Sequence, residues 1–233
     1  MGNRILTVVH SRRSTPGRAG EILSGRGYLL EARCPAQGDA LPASLEDYEG
    51  VIIFGGPMSV YDNDKPFLKT EMDWIPTVIE SGTPLLGVCL GGQLVSKALG
   101  AEVAPHPEGM AEVGYFNVRP TVAGAGFVDP DFHVYQFHID SLGLPSGAEL
   151  LATGEIFETQ AYRYGDNVTA IQFHPEVTRE MMLLWTRAAG DRLTRPGAQT
   201  RAEQVARCRQ FDSGVSKWFE NFLDRQFGRP GES

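Results

Sequence analysis

The sequence predicts an α/β protein built on an open, mostly parallel sheet flanked by helices, with a β-hairpin region added at one edge. Two observations predict it. Over residues 4–100, short apolar runs rich in β-branched side chains alternate with segments of helical periodicity. That is the pattern of repeated β-α-β units whose sheet is covered on both faces. Over residues 112–173 the texture changes to short strand-like stretches separated by turns, the mark of hairpins.

Each element follows in order. Residues 4–9 read as a buried strand, and the polar cluster 11–17 that follows reads as a turn. Pro16 opens a helix carrying Ile22 and Leu23. Residues 28–32 and 51–54 repeat the strand signal, and the second runs straight into Gly55-Gly56-Pro57. Asp64 as N-cap and Pro66 in the first turn start a helix, in which Phe67, Met72, Ile75, Val78 and Ile79 recur until Gly82. Residues 84–88 form the next apolar strand. It breaks at Cys89, and Leu94, Val95, Ala98 and Leu99 then carry helical spacing to Gly100. The β-rich stretches lie at 113–118, 133–137, 159–164 and 169–173. After Glu176 a helix with Met181, Met182, Leu184 and Trp185 runs to Gly190, and a polar connector holds Pro196-Gly197. Thr200 and Glu203 stand at capping-box spacing. The last helix presents Val205, Cys208, Phe211, Val215, Phe219 and Phe222 on one face, for its own domain or for a partner. The expected organisation is one domain over residues 1–233, with 200–228 as a C-terminal helical extension.

Composition excludes several classes. With 42% hydrophobic and 21% charged residues the chain is no disordered tail. A formal charge of −8 and the lack of a basic run argue against nucleic acid or an anionic membrane as the main partner. The apolar stretch 5–9 is too short for a signal-peptide core or a membrane span, and Leu6 does not fit a myristoylation signal. Cys34, Cys89 and Cys208 stand far apart with no C-x-x-C pair, so neither a disulfide framework nor a zinc knuckle is expected. The default compartment is a reducing cytoplasm.

The chemistry concentrates at Gly87-Val88-Cys89-Leu90-Gly91-Gly92-Gln93. A nucleophile at a crowded strand-to-helix turn is held in a strained backbone and needs small neighbours. The helix N-terminus behind it favours a thiolate, and its free N–H groups can stabilise an oxyanion. An isolated cysteine ending a core strand is usually buried and inert; the glycine frame and Gln93 reverse that expectation here. A thiolate also needs a proton carrier, and Gln172-Phe173-His174-Pro175-Glu176 supplies one at the end of another strand. His174 can move the proton and Glu176 can fix its tautomer. A surface turn set by Pro175 is the bland alternative. A zinc deaminase half-site is another, but no downstream Pro-Cys-x-x-Cys completes it, so no metal and no cofactor are expected.

Five blocks occur in order across residues 50–180: Phe54-Gly55-Gly56-Pro57, the cysteine block, Glu112-Val113-Gly114-Tyr115, Phe137-His138-Ile139-Asp140 with Leu144-Pro145 after it, and the histidine block. In these blocks the chain resembles the class I glutamine amidotransferases, the Cys-His-Glu family that includes the glutaminase domain of GMP synthase. The resemblance implies a flavodoxin-like sheet and a catalytic triad of Cys89, His174 and Glu176. It implies an oxyanion hole from the N–H groups of Gly56 and Leu90, and substrate contacts from Gly55, Gln93, Phe137, His138 and Ile139. The substrate would be glutamine or another γ-glutamyl small molecule, cleaved through a γ-glutamyl thioester. Ile139 departs from the glycine that many relatives carry after the histidine.

Two functions are compatible with that resemblance. One is a self-contained hydrolase of γ-glutamyl amides, favoured by the Phe-His-x-Asp form of the pocket block. The other is a glutaminase subunit that delivers ammonia to a separate synthetase, because the residues after Glu176 read as helices and leave no ATP-dependent synthase domain in this sequence. A non-catalytic binding or regulatory module is the third alternative, and the complete triad argues against it. The remaining candidates read as ordinary: His10, His106 and His133 as surface or core residues, Cys34 and Cys208 as small hydrophobes, Trp74, Trp185 and Trp218 as core packing. Arg12, Arg13 and Arg18 read as a solvated loop.

Overall fold

A computed structural model describes residues 3–230. Nine strands form one sheet in the order β2-β1-β3-β4-β9-β8-β7-β5-β6. The strands are β1 Arg4–Val8, β2 Leu29–Arg33, β3 Gly50–Ile53, β4 Leu85–Val88, β5 Glu112–Pro120, β6 Phe132–His138, β7 Glu149–Thr153, β8 Thr159–Tyr164 and β9 Val168–Ile171. The helices are α1 Gly17–Gly25, α2 Pro66–Glu80, α3 Leu90–Ala98, α4 Arg179–Ala188 and α5 Arg201–Phe227. β2, β1, β3, β4 and β9 are parallel, while β8, β7, β5 and β6 extend the β9 edge through antiparallel pairs. The α/β fold with a hairpin region at one edge is therefore the observed one.

The alternation of β3 shows how the core divides. Val51 and Ile53 face a cluster with Leu68, Ile75 and Val78 of α2 and Leu94 of α3. Ile52 and Phe54 face the opposite cluster, with Ala19 and Leu23 of α1 and Phe219 and Phe222 of α5. A strand buried on both faces reads as a continuous apolar run, as this one does. Each fully buried phenylalanine or leucine contributes roughly 2 kcal/mol.

α5 lies on its own chain. It packs against α1, α4, β5 and β6. The Tyr28 hydroxyl donates to the Phe227 carbonyl at 2.8 Å, and the Trp218 indole donates to the Phe127 carbonyl at 2.6 Å. Its start carries the expected capping box between Thr200 and Glu203.

Some expectations needed correction. α2 starts one residue later than the Asp64 cap implies: Lys65 is the N-cap, without a side-chain bond, and Pro66 opens the helix. Proline at this position needs no cap for its missing N–H, and the Asp64 carboxylate bonds to Lys65 Nζ instead. β7 had no strand signal of its own, since Glu-Leu-Leu-Ala-Thr fits helix and strand alike. Its pairing with β8 is interrupted by register shifts near Leu150 and Ala152. Residues 190–194 form a 3-10 turn inside the expected connector. No helix among the described residues is long and apolar enough to cross a membrane.

Candidate active site

β1, β3, β4 and β9 run parallel, and just beyond their C-terminal ends stand His10, Gly55, Cys89 and His174. The crevice beyond the carboxyl ends of parallel strands is where open α/β sheets bind ligands.

Cys89 joins β4 to α3 with φ 51° and ψ −110°, and it is the only non-glycine at positive φ among the described residues. Such a conformation costs about 1–3 kcal/mol and persists only where the surroundings impose it. Here the Cys89 N–H donates to the Ile171 carbonyl at 2.8 Å, and its own carbonyl accepts from the Gln93 N–H at 2.9 Å. The glycine frame has a steric cause. A Cβ on Gly87 would stand 2.8 Å from Gly92 Cα, and a Cβ on Gly91 would be driven into the Ile53 carbonyl. Cys89 is the N-cap of α3, and the N–H groups of a helix's first turn, Leu90's among them here, have no partner within the helix.

His174 is buried and donates from Nδ1 to Glu176 Oε1 at 2.8 Å. The Cys89 side chain lies beside the same ring, and both line one cavity. Burial alone would lower the pKa of this imidazole. The Glu176 carboxylate and the Cys89 sulfur outweigh burial and raise it to about 10. Trp185 of α4 meets the ring edge-on, with centroids 5.0 Å apart. The expected triad residues are thus brought together.

These groups open onto a cavity of about 310 Å³, lined by Gly55, Gly56, Gln93, Phe137, His138 and Ile139 besides Cys89 and His174. Gln93 commits its amide N–H groups to the Asp140 carbonyl and to Gln172 Oε1, both at 3.1 Å. Its own oxygen is what remains for a ligand. His138 is tied at both nitrogens, to the Asp140 carbonyl at 2.9 Å and to Glu112 Oε2 at 3.0 Å, so it shapes the wall. Ile139 keeps an ordinary negative φ, and its side chain belongs to the lining. Arg192 also lines the cavity, 5.9 Å above the Phe137 ring, and is the one Arg or Lys to do so among the described residues. No cluster of three or more His, Cys, Asp or Glu suited to a metal occurs among the described residues.

Several residues play parts that sequence reading missed. Arg18 is no solvated loop residue: it is buried in α1, where Nη1 donates to the Pro175 carbonyl at 2.7 Å and Nη2 to both Asp212 oxygens at 2.8 and 2.9 Å. It fastens the His174–Glu176 segment to α5. Trp185 lines the cavity besides packing on the core. His10 is a core residue, paired with the buried Glu71 61 positions away. A partner at that distance leaves no spacing signal. His106 and His133 lie outside the lining. Cys34 and Cys208 are buried, and burial pushes both thiols up in pKa, which keeps them protonated.

Comparison with known proteins agrees with this architecture. Residues 31–182 match the family described as Glutamine amidotransferase class-I. The chain is 35% identical to a glutamine-hydrolyzing GMP synthase subunit of Sulfurisphaera tokodaii, over 57% of this chain and 70% of that protein. It is 29% identical to gamma-glutamyl peptidase 4 of Arabidopsis thaliana, over 78% of this chain and 76% of that protein. A glutamine amidotransferase structure from Methylobacillus flagellatus superposes with a TM-score of 0.90 at 26% identity, covering 100% of this chain and 98% of that one. With the match spanning well over half of its length, the chain belongs to the class I glutamine amidotransferase family.

Proposed function

We propose that the protein hydrolyses the γ-amide of glutamine or of γ-glutamyl compounds, with Cys89 as nucleophile. The observation that carries the reading is the buried line from the strained Cys89 through His174 to Glu176, facing a cavity. In this reading the Cys89 thiolate attacks the side-chain amide carbon, and the carbonyl electrons move onto oxygen between the N–H groups of Gly56 and Leu90. The His174 imidazolium gives its proton to the departing nitrogen, leaving a γ-glutamyl thioester. The neutral imidazole then takes a proton from water, which attacks the thioester and releases glutamate and the thiolate. Glu176 keeps the ring in the required tautomer. Gly55, Gln93, Phe137, His138 and Ile139 shape the substrate pocket, and Arg192 is the cation suited to a carboxylate of the substrate.

A self-contained hydrolase is the form we favour, on the likeness to gamma-glutamyl peptidase 4 over most of both chains. A glutaminase subunit that supplies ammonia to a separate synthetase is the second reading, favoured by the likeness to the GMP synthase subunit of Sulfurisphaera tokodaii. The experiment is release of glutamate from glutamine and from a panel of γ-glutamyl amines and dipeptides by the isolated chain and by Cys89→Ala. Turnover of γ-glutamyl peptides by the isolated chain, absent from the variant, is expected. Feeble activity that rises with a co-purified synthetase would select the second reading. Undiminished turnover in Cys89→Ala would sink both. Ile139→Gly is expected to shift preference toward free glutamine.

A further inference from the structure

A third buried histidine–glutamate pair, besides His174–Glu176 and His138–Glu112, stands behind the glycine loop, outside the cavity lining. His10 follows β1, and its Nε2 lies 3.1 Å from Glu71 Oε2 on α2. Its Nδ1 lies 3.1 Å from the Gly55 carbonyl oxygen. The side chains are 0% and 1% exposed. A carbonyl oxygen only accepts, so Nδ1 carries a proton and donates it to that bond. The Glu71 carboxyl, bonded at Nε2, holds the ring in this orientation.

The consequence lies in the next peptide group. Every peptide bond in the described chain is trans, and in a trans unit the C=O and N–H point in opposite directions. Turning the Gly55 carbonyl onto His10 therefore aims the Gly56 N–H away from His10. That N–H bonds to no carbonyl among the described residues. The dipeptide also sits directly beside the reacting groups: a Cβ on Gly55 would stand 3.5 Å from Cys89 Cβ and 2.8 Å from His174 Cε1. Two successive glycines have no side chain with which to hold such a peptide, and glycine visits both signs of φ readily. The hydrogen bond from outside the loop is what sets its direction.

We propose that His10, held by Glu71, is a positioning residue that fixes the Gly55–Gly56 peptide so that the Gly56 N–H meets the oxyanion formed when Cys89 attacks. The inference rests on the reading of Cys89 as nucleophile. His10 touches no substrate in this role; it acts through one peptide plane.

The test compares His10→Leu with His10→Asn, which have nearly the same shape. The Asn amide restores an N–H where Nδ1 stood, and both variants leave Glu71 equally without its partner. Turnover of L-γ-glutamyl-p-nitroanilide is read beside alkylation of Cys89 by iodoacetamide, a displacement that needs the thiolate and builds no oxyanion. Loss of one oxyanion donor lowers kcat by about 10²- to 10³-fold. His10→Leu should show a loss of that order with little change in KM, His10→Asn should recover at least about tenfold of it, and alkylation should stay level in both. Equal kcat in the two variants, or alkylation that falls together with kcat, would overturn the inference. His10→Met serves as the non-donor if the leucine variant does not fold. Parent turnover no faster than that of Cys89→Ala would remove the nucleophile reading and this inference with it. Parent turnover that His10→Leu retains in full would remove this inference alone.

Discussion

Glu176 accepts the Nδ1 proton of His174 at 2.8 Å, and both side chains are nearly sealed from solvent. Only Pro175 separates the two residues, and the turn that the Val177 N–H closes on the His174 carbonyl brings acid and imidazole together. The Cys89 side chain lies beside the same ring. The carboxylate stabilises the imidazolium against burial, which would otherwise favour the neutral ring.

Glu176→Gln is therefore expected to lower the pH at which His174 loses its proton. In the parent the pKa stands raised from 6.5 to about 10. On the proposed mechanism the proton given to the departing nitrogen is therefore present through neutrality and lost as pH rises through that value. The stability contributed by this group follows the same sign: complete below the unfolded value of 6.5, lost as pH climbs through about 10. A pH–rate profile should show the alkaline limb displaced toward neutrality in the variant. An unmoved limb would detach Glu176 from His174.

The backbone of Cys89 makes a stability prediction that is independent of activity. At φ 51° a side chain is strained and glycine is not. Cys89→Gly is expected to be more stable than Cys89→Ala by about 1 kcal/mol, since glycine is unstrained at this φ and is also the better of the two at a helix N-cap. Denaturant unfolding of the two variants measures it, and an alanine variant as stable as the glycine one would mean that the turn relaxes.

Arg18 joins the histidine segment to α5 through the Pro175 and Val177 carbonyls on one side and Asp212 on the other. Arg18→Met should cost about 2–3 kcal/mol, because it strands those carbonyls and a half-buried carboxylate. Arg18→Lys should not restore the loss, since an ammonium cannot supply the bidentate fork. Thermal unfolding of both variants reads this directly, and a lysine variant matching the parent would contradict it.

The parallel half of the sheet was legible because strands buried on both faces leave continuous apolar runs, such as residues 51–54 and 84–88. The cysteine and histidine blocks were legible because an elbow restricts its neighbours to glycine and because His174 and Glu176 lie close in sequence. What could not be read were pairings across long stretches of chain. His10 with Glu71, His138 with Glu112 and Arg18 with Asp212 each join different elements, and only the closed fold creates them. β7 escaped for a different reason: a short Leu-Leu-Ala run carries no period, and its partners β5 and β8 decide its state.

On the proposed mechanism Cys89 carries a γ-glutamyl group during turnover. The most direct measurement is mass spectrometry of the chain quenched in acid during steady-state turnover of L-γ-glutamyl-p-nitroanilide. A γ-glutamyl adduct confined to the peptide that contains Cys89, and absent from Cys89→Ala, is the predicted result. Turnover without any such adduct in Glu176→Gln or parent samples, or an adduct on Cys34 or Cys208, would contradict the account.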